Sequence, residues 1–141
     1  MFENYSIEAQ RVIFFGREEA GRLGSESLEP EHLLLSLLND GIPLVSRFVP
    51  AEALSALRKS VEQTVSGGEP IPDSVDQPLT ESAVRVLETA EKLAQNHGHP
   101  QIRPIHILAA VVTVNDDVAG ILAGHGISKE AVFAELMEDG A

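Results

Sequence analysis

Pro30-Glu31-His32-Leu33-Leu34-Leu35-Ser36-Leu37-Leu38 is apolar on nearly every side after its first three residues. Proline suits the first helical position, where its missing N–H would have no intrahelical partner and its φ is already helical. A helix that is apolar all round is buried all round, so this stretch reads as a core helix. Periodicity alone leaves a buried strand open for so short a run, but the leucine content and the proline start favour helix. The stretch has an echo, Pro104-Ile105-His106-Ile107-Leu108-Ala109-Ala110-Val111-Val112.

Upstream, Ser6 is placed to cap a helix running to about Leu23, with Gly24 as its stop. Ala9, Val12, Ile13, Gly16, Ala20 and Leu23 fall on one face of it. Downstream, Asn39-Asp40-Gly41 closes the core helix and Pro43 opens a short segment through Phe48. Pro50 opens a longer helix over 51–66 that buries Leu54, Leu57, Val61 and Val65. Residues 67–78 hold two glycines and three prolines and read as a loop.

The sequence then repeats. Residues 6–38 lie on 80–112 without a gap at a constant offset of 74, matching Ala9 with Ala83, Arg11 with Arg85, Gly24 with Gly98, Pro30 with Pro104 and His32 with His106. The cap Ser6 falls on Thr80. Caps, stops and core positions are what a duplicated helical unit retains. Helices over about 118–123 and 128–138 complete the second unit. The expectation is one all-α domain over 1–141 with about eight helices in two pseudo-symmetric four-helix repeats: about 5–66, a linker over about 67–78, and about 79–139.

Ten basic and 22 acidic residues give a formal charge of −12, which repels phosphate backbones and anionic lipid. Neither nucleic acid nor a membrane is an expected partner. No cysteine is present, no basic leader precedes a long apolar run, and a cytoplasmic location is expected.

Candidate chemistry is thin. His97, His99 and His125 read as solvated turn residues rather than metal ligands, since zinc needs three or four convergent donors. His32 and His106 read as core histidines bonded to nearby backbone. A small hydrolase using them with a carboxylate is the competing reading, and a purely structural dimerisation unit is another. Glu31-His32 lacks the second histidine of a zincin element, and no nucleophile elbow or phosphate-binding G-x-x-x-x-G-K-[ST] run occurs. No catalytic residue, cofactor or metal is expected.

Phe14 breaks the repeat symmetry. It shares a helix face with Ile7, opposite the core face, and its repeat partner is Glu88. Phe2 and Tyr5, the 67–78 loop, or a partner chain are the candidates to cover it.

The Glu19-Ala20 and Leu23-Gly24 helix end, followed by Pro30-Glu31-His32-Leu33-Leu34-Leu35 and a second copy, resembles the Clp N-terminal repeat domain that leads AAA+ unfoldases of the ClpA, ClpB and ClpC kinds. The resemblance covers about residues 2–138. It implies a non-catalytic protein-binding module taking unfolded or tagged protein substrates and Clp adaptor proteins, with Clp ATPase or protease subunits as further partners. It leaves open whether the chain fronts a longer motor protein or acts as a stand-alone accessory, as the plastid ClpT proteins do. It also implies that Glu31 stands where ClpC-like domains read phosphorylated arginine; the matching second position is Ile105. The candidate partner- or substrate-binding residues are then Ser6, Phe14, Glu31 and Thr80.

Overall fold

The computed structural model describes residues 4–39, 44–65, 67–72 and 78–139. Among them lie seven α-helices: α1 (Ile7–Arg22), α2 (Pro30–Leu37), α3 (Ala51–Val65), α4 (Glu81–Asn96), α5 (Pro104–Val114), α6 (Asp116–Gly124) and α7 (Lys129–Asp139). A single 3-10 turn, Val45–Arg47, sits between α2 and α3. The described residues form no strand, only two isolated bridges.

The two proline-led helices are the centre. Leu33, Leu34, Leu35 and Leu37 of α2, and Ile107, Leu108, Ala109, Ala110 and Val111 of α5, are wholly buried. Each leucine so removed from water contributes about 2 kcal/mol. Helix α1 packs on α2 as α4 packs on α5, α2 on α3 as α5 on α7, and α1 on α5 as α2 on α4, with α2 against α5 between them. Exchanging the halves leaves these pairings unchanged; α6, which packs on α5 and α3, has no α-helical counterpart among the described residues of the first half.

The seam between the halves has the same reciprocity. Tyr5 bridges Ile102 and Leu28 bridges Leu79, and the 74-residue offset carries Tyr5 onto Leu79 and Leu28 onto Ile102. Ser6 N–H donates to the Ile102 carbonyl at 2.9 Å, and Thr80 N–H donates to the Leu28 carbonyl at 3.1 Å. Each half thus ties down the first residue before the other half's opening helix. An ion-pair network adds a lateral brace: Arg22 and Arg58 both reach Glu19 and Glu62, joining α1 to α3.

Several sequence expectations shift in detail. The segment opened by Pro43 is a 3-10 turn rather than a helix, and Pro43, Asp40 and Gly41 lie outside the described residues. Leu54 and Val65 on α3 are only partly buried, while Leu57 and Val61 are fully buried. Helix α6 starts at Asp116, two residues before the expected start, because Asn115 Oδ1 accepts the Val118 N–H at 3.0 Å and caps it.

The described part of the linker does not hang free. Gly67 N–H donates to the Leu23 carbonyl at 3.2 Å and Ile71 N–H to the Gly21 carbonyl at 2.8 Å, so the segment lies across the C-terminal end of α1. There the chain passes so close to Gly24, which has φ +76°, that a Cβ would stand 2.6 Å from Gly68 backbone atoms.

Candidate functional site

Ser6 and Thr80 are both helix caps. Ser6 Oγ accepts the Ala9 N–H and Thr80 Oγ1 accepts the Ala83 N–H, each at 3.1 Å. Ser6 is buried and Thr80 half-buried, so their hydroxyls are engaged in starting α1 and α4.

Phe14 is 59% exposed and Ile7, one helical stripe away, is 66% exposed. The Phe14 ring meets Phe15 edge-on, with centroids 5.6 Å apart. Tyr5, one of the residues expected to cover it, is instead buried in the seam, and Phe2 and residues 73–77 lie outside the described residues. At the offset positions on α4 the same stripe carries Glu81 and Glu88, both exposed. One half therefore presents an apolar stripe where the other presents acid. Arg11 and Arg17 flank the stripe on α1 and are exposed, two of only ten basic residues in the chain.

Glu31 sits half-buried at the start of α2. Burial pushes its carboxyl above the usual range, the charges of Glu29 and Asp117 push the same way, and hydrogen bonding, including that of the Asn115 side chain, pulls back. A carboxylate in this company suits a guanidinium and repels a phosphate. The matching position in the second half, Ile105, is buried, so no second carboxylate stands there.

The two core histidines repeat one device. Glu29 N–H donates to His32 Nδ1 at 2.9 Å, and Arg103 N–H donates to His106 Nδ1 at 2.8 Å, so each imidazole satisfies a backbone N–H at the start of its helix. With Nδ1 accepting, the proton of each neutral ring is on Nε2. In the second half that Nε2 donates to His99 Nδ1 at 2.7 Å. His99 is thus half-buried and bonded, not the solvated turn residue expected. His97 is exposed, as expected, with its ring against the Leu93 carbonyl, whereas His125 is half-buried, with its ring against the Ile121 carbonyl.

In the first half Ser25 replaces His99, and His32 Nε2 and Ser36 Oγ are both buried without a hydrogen-bond partner. Burial holds the His32 pKa down at about 4 against its ordinary 6.5, opposed by the charge of Glu19. Both core histidines are 0% exposed, so a substrate cannot reach them and the hydrolase reading loses its residues. No group of three or more metal-binding side chains converges among the described residues. No single described helix is long and apolar enough to cross a membrane.

A pocket of about 230 Å³ opens beside the seam, where sequence reading placed nothing. Asn4, Tyr5, Glu91, Gln95, His99 and Ile102 line it. The Glu91 carboxylate has no ion-pair or hydrogen-bond partner among the described residues. Together, burial and the Glu91 charge raise the Tyr5 hydroxyl to about 12, so it stays protonated. The available sequence signal was the charge inversion from Arg17 to Glu91 at matched positions, legible only once the repeat is aligned.

Comparison with known proteins places this architecture. The profile of the Clp repeat (R) N-terminal domain matches residues 4–125 and again 78–139. The Bacillus subtilis negative regulator of genetic competence ClpC/MecB is 29% identical over 141 residues, covering 98% of this chain and 17% of that protein. The chloroplastic chaperone protein ClpC of Pisum sativum is 31% identical over 121 residues, covering 84% of this chain and 13% of that protein. This chain therefore spans about a sixth of the length of the curated relatives it matches. The crystal structure of the N-terminal domain of the caseinolytic protease associated chaperone ClpD from Arabidopsis thaliana superimposes with a TM-score of 0.74 at 28% identity, covering 99% of this chain and 96% of that one. With both halves matched by the profile and the whole fold shared, the chain belongs to the Clp repeat N-terminal domain family, whose members are non-catalytic.

Proposed function

We propose that this domain captures exposed segments of unfolded or tagged polypeptides, or of Clp adaptor proteins, and presents them to a Clp ATPase motor. The observation that carries the reading is the exposed Ile7–Phe14 stripe on α1; among the described residues the other exposed large apolar side chains, Val84 and Met137, stand on different helices. An aromatic anchor with an aliphatic neighbour, bordered by charges of both signs at Glu8, Arg11, Arg17 and Glu18, suits an amphipathic client segment. Whether the motor follows in the same polypeptide or acts as a separate subunit, the capture surface is the same, and a cytoplasmic location is part of this reading.

In this reading Ser6 and Thr80 act as positioning residues that start the two opening helices, while Glu31 offers a guanidinium-sized contact at the first half alone. Phosphoarginine recognition by a matched pair of sites is not supported, because Ile105 replaces the second carboxylate and Glu29 and Asp117 oppose a phosphate at the first. We also assign the two units to about 5–66 and 79–139, joined over 67–78, on the reciprocal seam between them.

Fluorescence anisotropy with labelled unfolded casein tests the capture surface. Phe14→Ala is expected to weaken binding about tenfold, as loss of an aromatic anchor does. Phe14→Glu, which copies the second half, is expected to abolish it. Unchanged binding by both variants, with folding intact by circular dichroism, overturns the assignment.

A further inference from the structure

The two halves end their opening helices in the same way. Ser25 N–H bonds to the Ala20 carbonyl and Gly24 N–H to the Gly21 carbonyl; at the 74-residue offset, His99 N–H bonds to Ala94 and Gly98 N–H to Gln95, with lengths equal at 2.8 Å and 3.1 Å. Gly24 and Gly98 share the left-handed conformation, at φ +76° and +71°. What differs is the occupancy of the surface beyond.

At the end of α1 the chain's own linker is seated. Its Gly67 and Ile71 N–H groups take the Leu23 and Gly21 carbonyls, and its backbone lies within 2.7 Å of where a Gly24 Cβ would be. At the end of α4 the equivalent acceptors are the His97 and Gln95 carbonyls, and a Cβ on Gly98 would meet nothing within 4 Å. Among the described residues nothing fills this second seat, and the pocket of Tyr5, Glu91, Gln95 and His99 adjoins it.

Charge names the occupant. Glu91 lines the pocket, and its carboxylate has no hydrogen-bond or ion-pair partner among the described residues. The C-terminal end of α4 adds its own partial negative charge. At about 230 Å³ the pocket is smaller than a typical small-molecule site and fits one side chain. We propose that the C-terminal end of α4 is a second polypeptide seat, which takes an extended segment by backbone hydrogen bonds to the Gln95 and His97 carbonyls and an arginine or lysine side chain in the pocket beside Glu91.

The inference deepens the protein-binding reading but uses a surface separate from the α1 stripe, so the two fail separately. The test is titration of the full chain with acetyl-Gly-Gly-Arg-Pro-Ile-Pro-amide, followed by amide chemical shifts, beside the same peptide with glutamate in place of arginine and beside free arginine. The expected result is saturable shifts at residues 91–99 with the arginine peptide, at least tenfold weaker with the glutamate peptide, and weaker still with free arginine, which lacks the backbone donors. Glu91→Gln is expected to weaken the arginine peptide about tenfold, the scale of one charge-assisted hydrogen bond. Gly98→Asn keeps the left-handed turn, which asparagine tolerates, and puts a Cβ where the docked backbone must pass, so it is expected to abolish binding. No shifts at these residues, equal affinity for both peptides, or full binding by Gly98→Asn overturns the proposal. Casein binding measured on the same Gly98→Asn protein reports on the α1 surface independently.

Discussion

The twin glycines allow the seated linker to be weighed. Gly24→Ala and Gly98→Ala impose the same local strain, an L-residue held at φ near +70°, which costs about 1 kcal/mol. Beyond that the sites diverge. At Gly98 the new methyl enters open space, so the total stays near 1 kcal/mol. At Gly24 the methyl would lie 2.6 Å from the carbonyl carbon and oxygen of Gly68 and 2.7 Å from the Glu69 oxygen, contacts no backbone tolerates. The linker must lift, and its two hydrogen bonds to the Leu23 and Gly21 carbonyls are lost at about 1 kcal/mol each. Gly24→Ala is therefore expected to cost about 3 kcal/mol. At about 3 °C per kcal/mol for a domain of this size, thermal unfolding followed by circular dichroism should fall about 10 °C for Gly24→Ala and about 3 °C for Gly98→Ala. Equal losses would refute the claim that the linker occupies one seat and leaves its twin open.

Other consequences follow from the buried polar groups. His32 is neutral in the fold down to about pH 4, whereas in the unfolded chain it takes up a proton near 6.5. Its contribution is therefore fully present above about pH 6.5 and is lost as pH falls from there towards 4, by up to about 3 kcal/mol. Urea unfolding across that range should show the slope in the wild type and a shallower one in His32→Leu; identical slopes would contradict the burial argument. Glu31 titrates the other way, its carboxyl raised, so its ionisation opposes folding once the pH exceeds its ordinary value. Glu31→Gln should raise the melting temperature at pH 7 and lose that advantage below pH 4. Ser36→Ala removes a buried hydroxyl without a partner and copies Ala110 of the second half, so it should stabilise by about 1 kcal/mol, read by urea unfolding.

Much of the fold was legible because its signals are local. Ser6 and Thr80 announce helix starts, Pro30 and Pro104 fit only first turns, and Gly24 and Gly98 mark the left-handed ends. The reciprocal bridges of Tyr5 with Ile102 and Leu28 with Leu79 were not legible, since each pairs residues more than fifty positions apart with no compositional mark. The early start of α6 turned on Asn115, whose capping role competes with its other use as a loop residue. His99 was misread because its partner lies across a turn on a buried helix, and spacing does not reveal that approach. For Phe14 the helical wheel gave the direction but not the neighbours, and exposure is a tertiary fact. The open seat on α4 needed both halves in view, since only the filled copy shows what the empty one is for.

The central claim, that this surface holds other polypeptides, is tested most directly by hydrogen–deuterium exchange of the chain with and without an unfolded client. The account predicts added protection along the exposed side of α1 around Ile7 and Phe14 and at the end of α4 around Gln95 to His99, with α2 and α5 unchanged. Exchange that is identical with and without client at concentrations saturating the anisotropy assay, or protection confined to other surfaces, would contradict it.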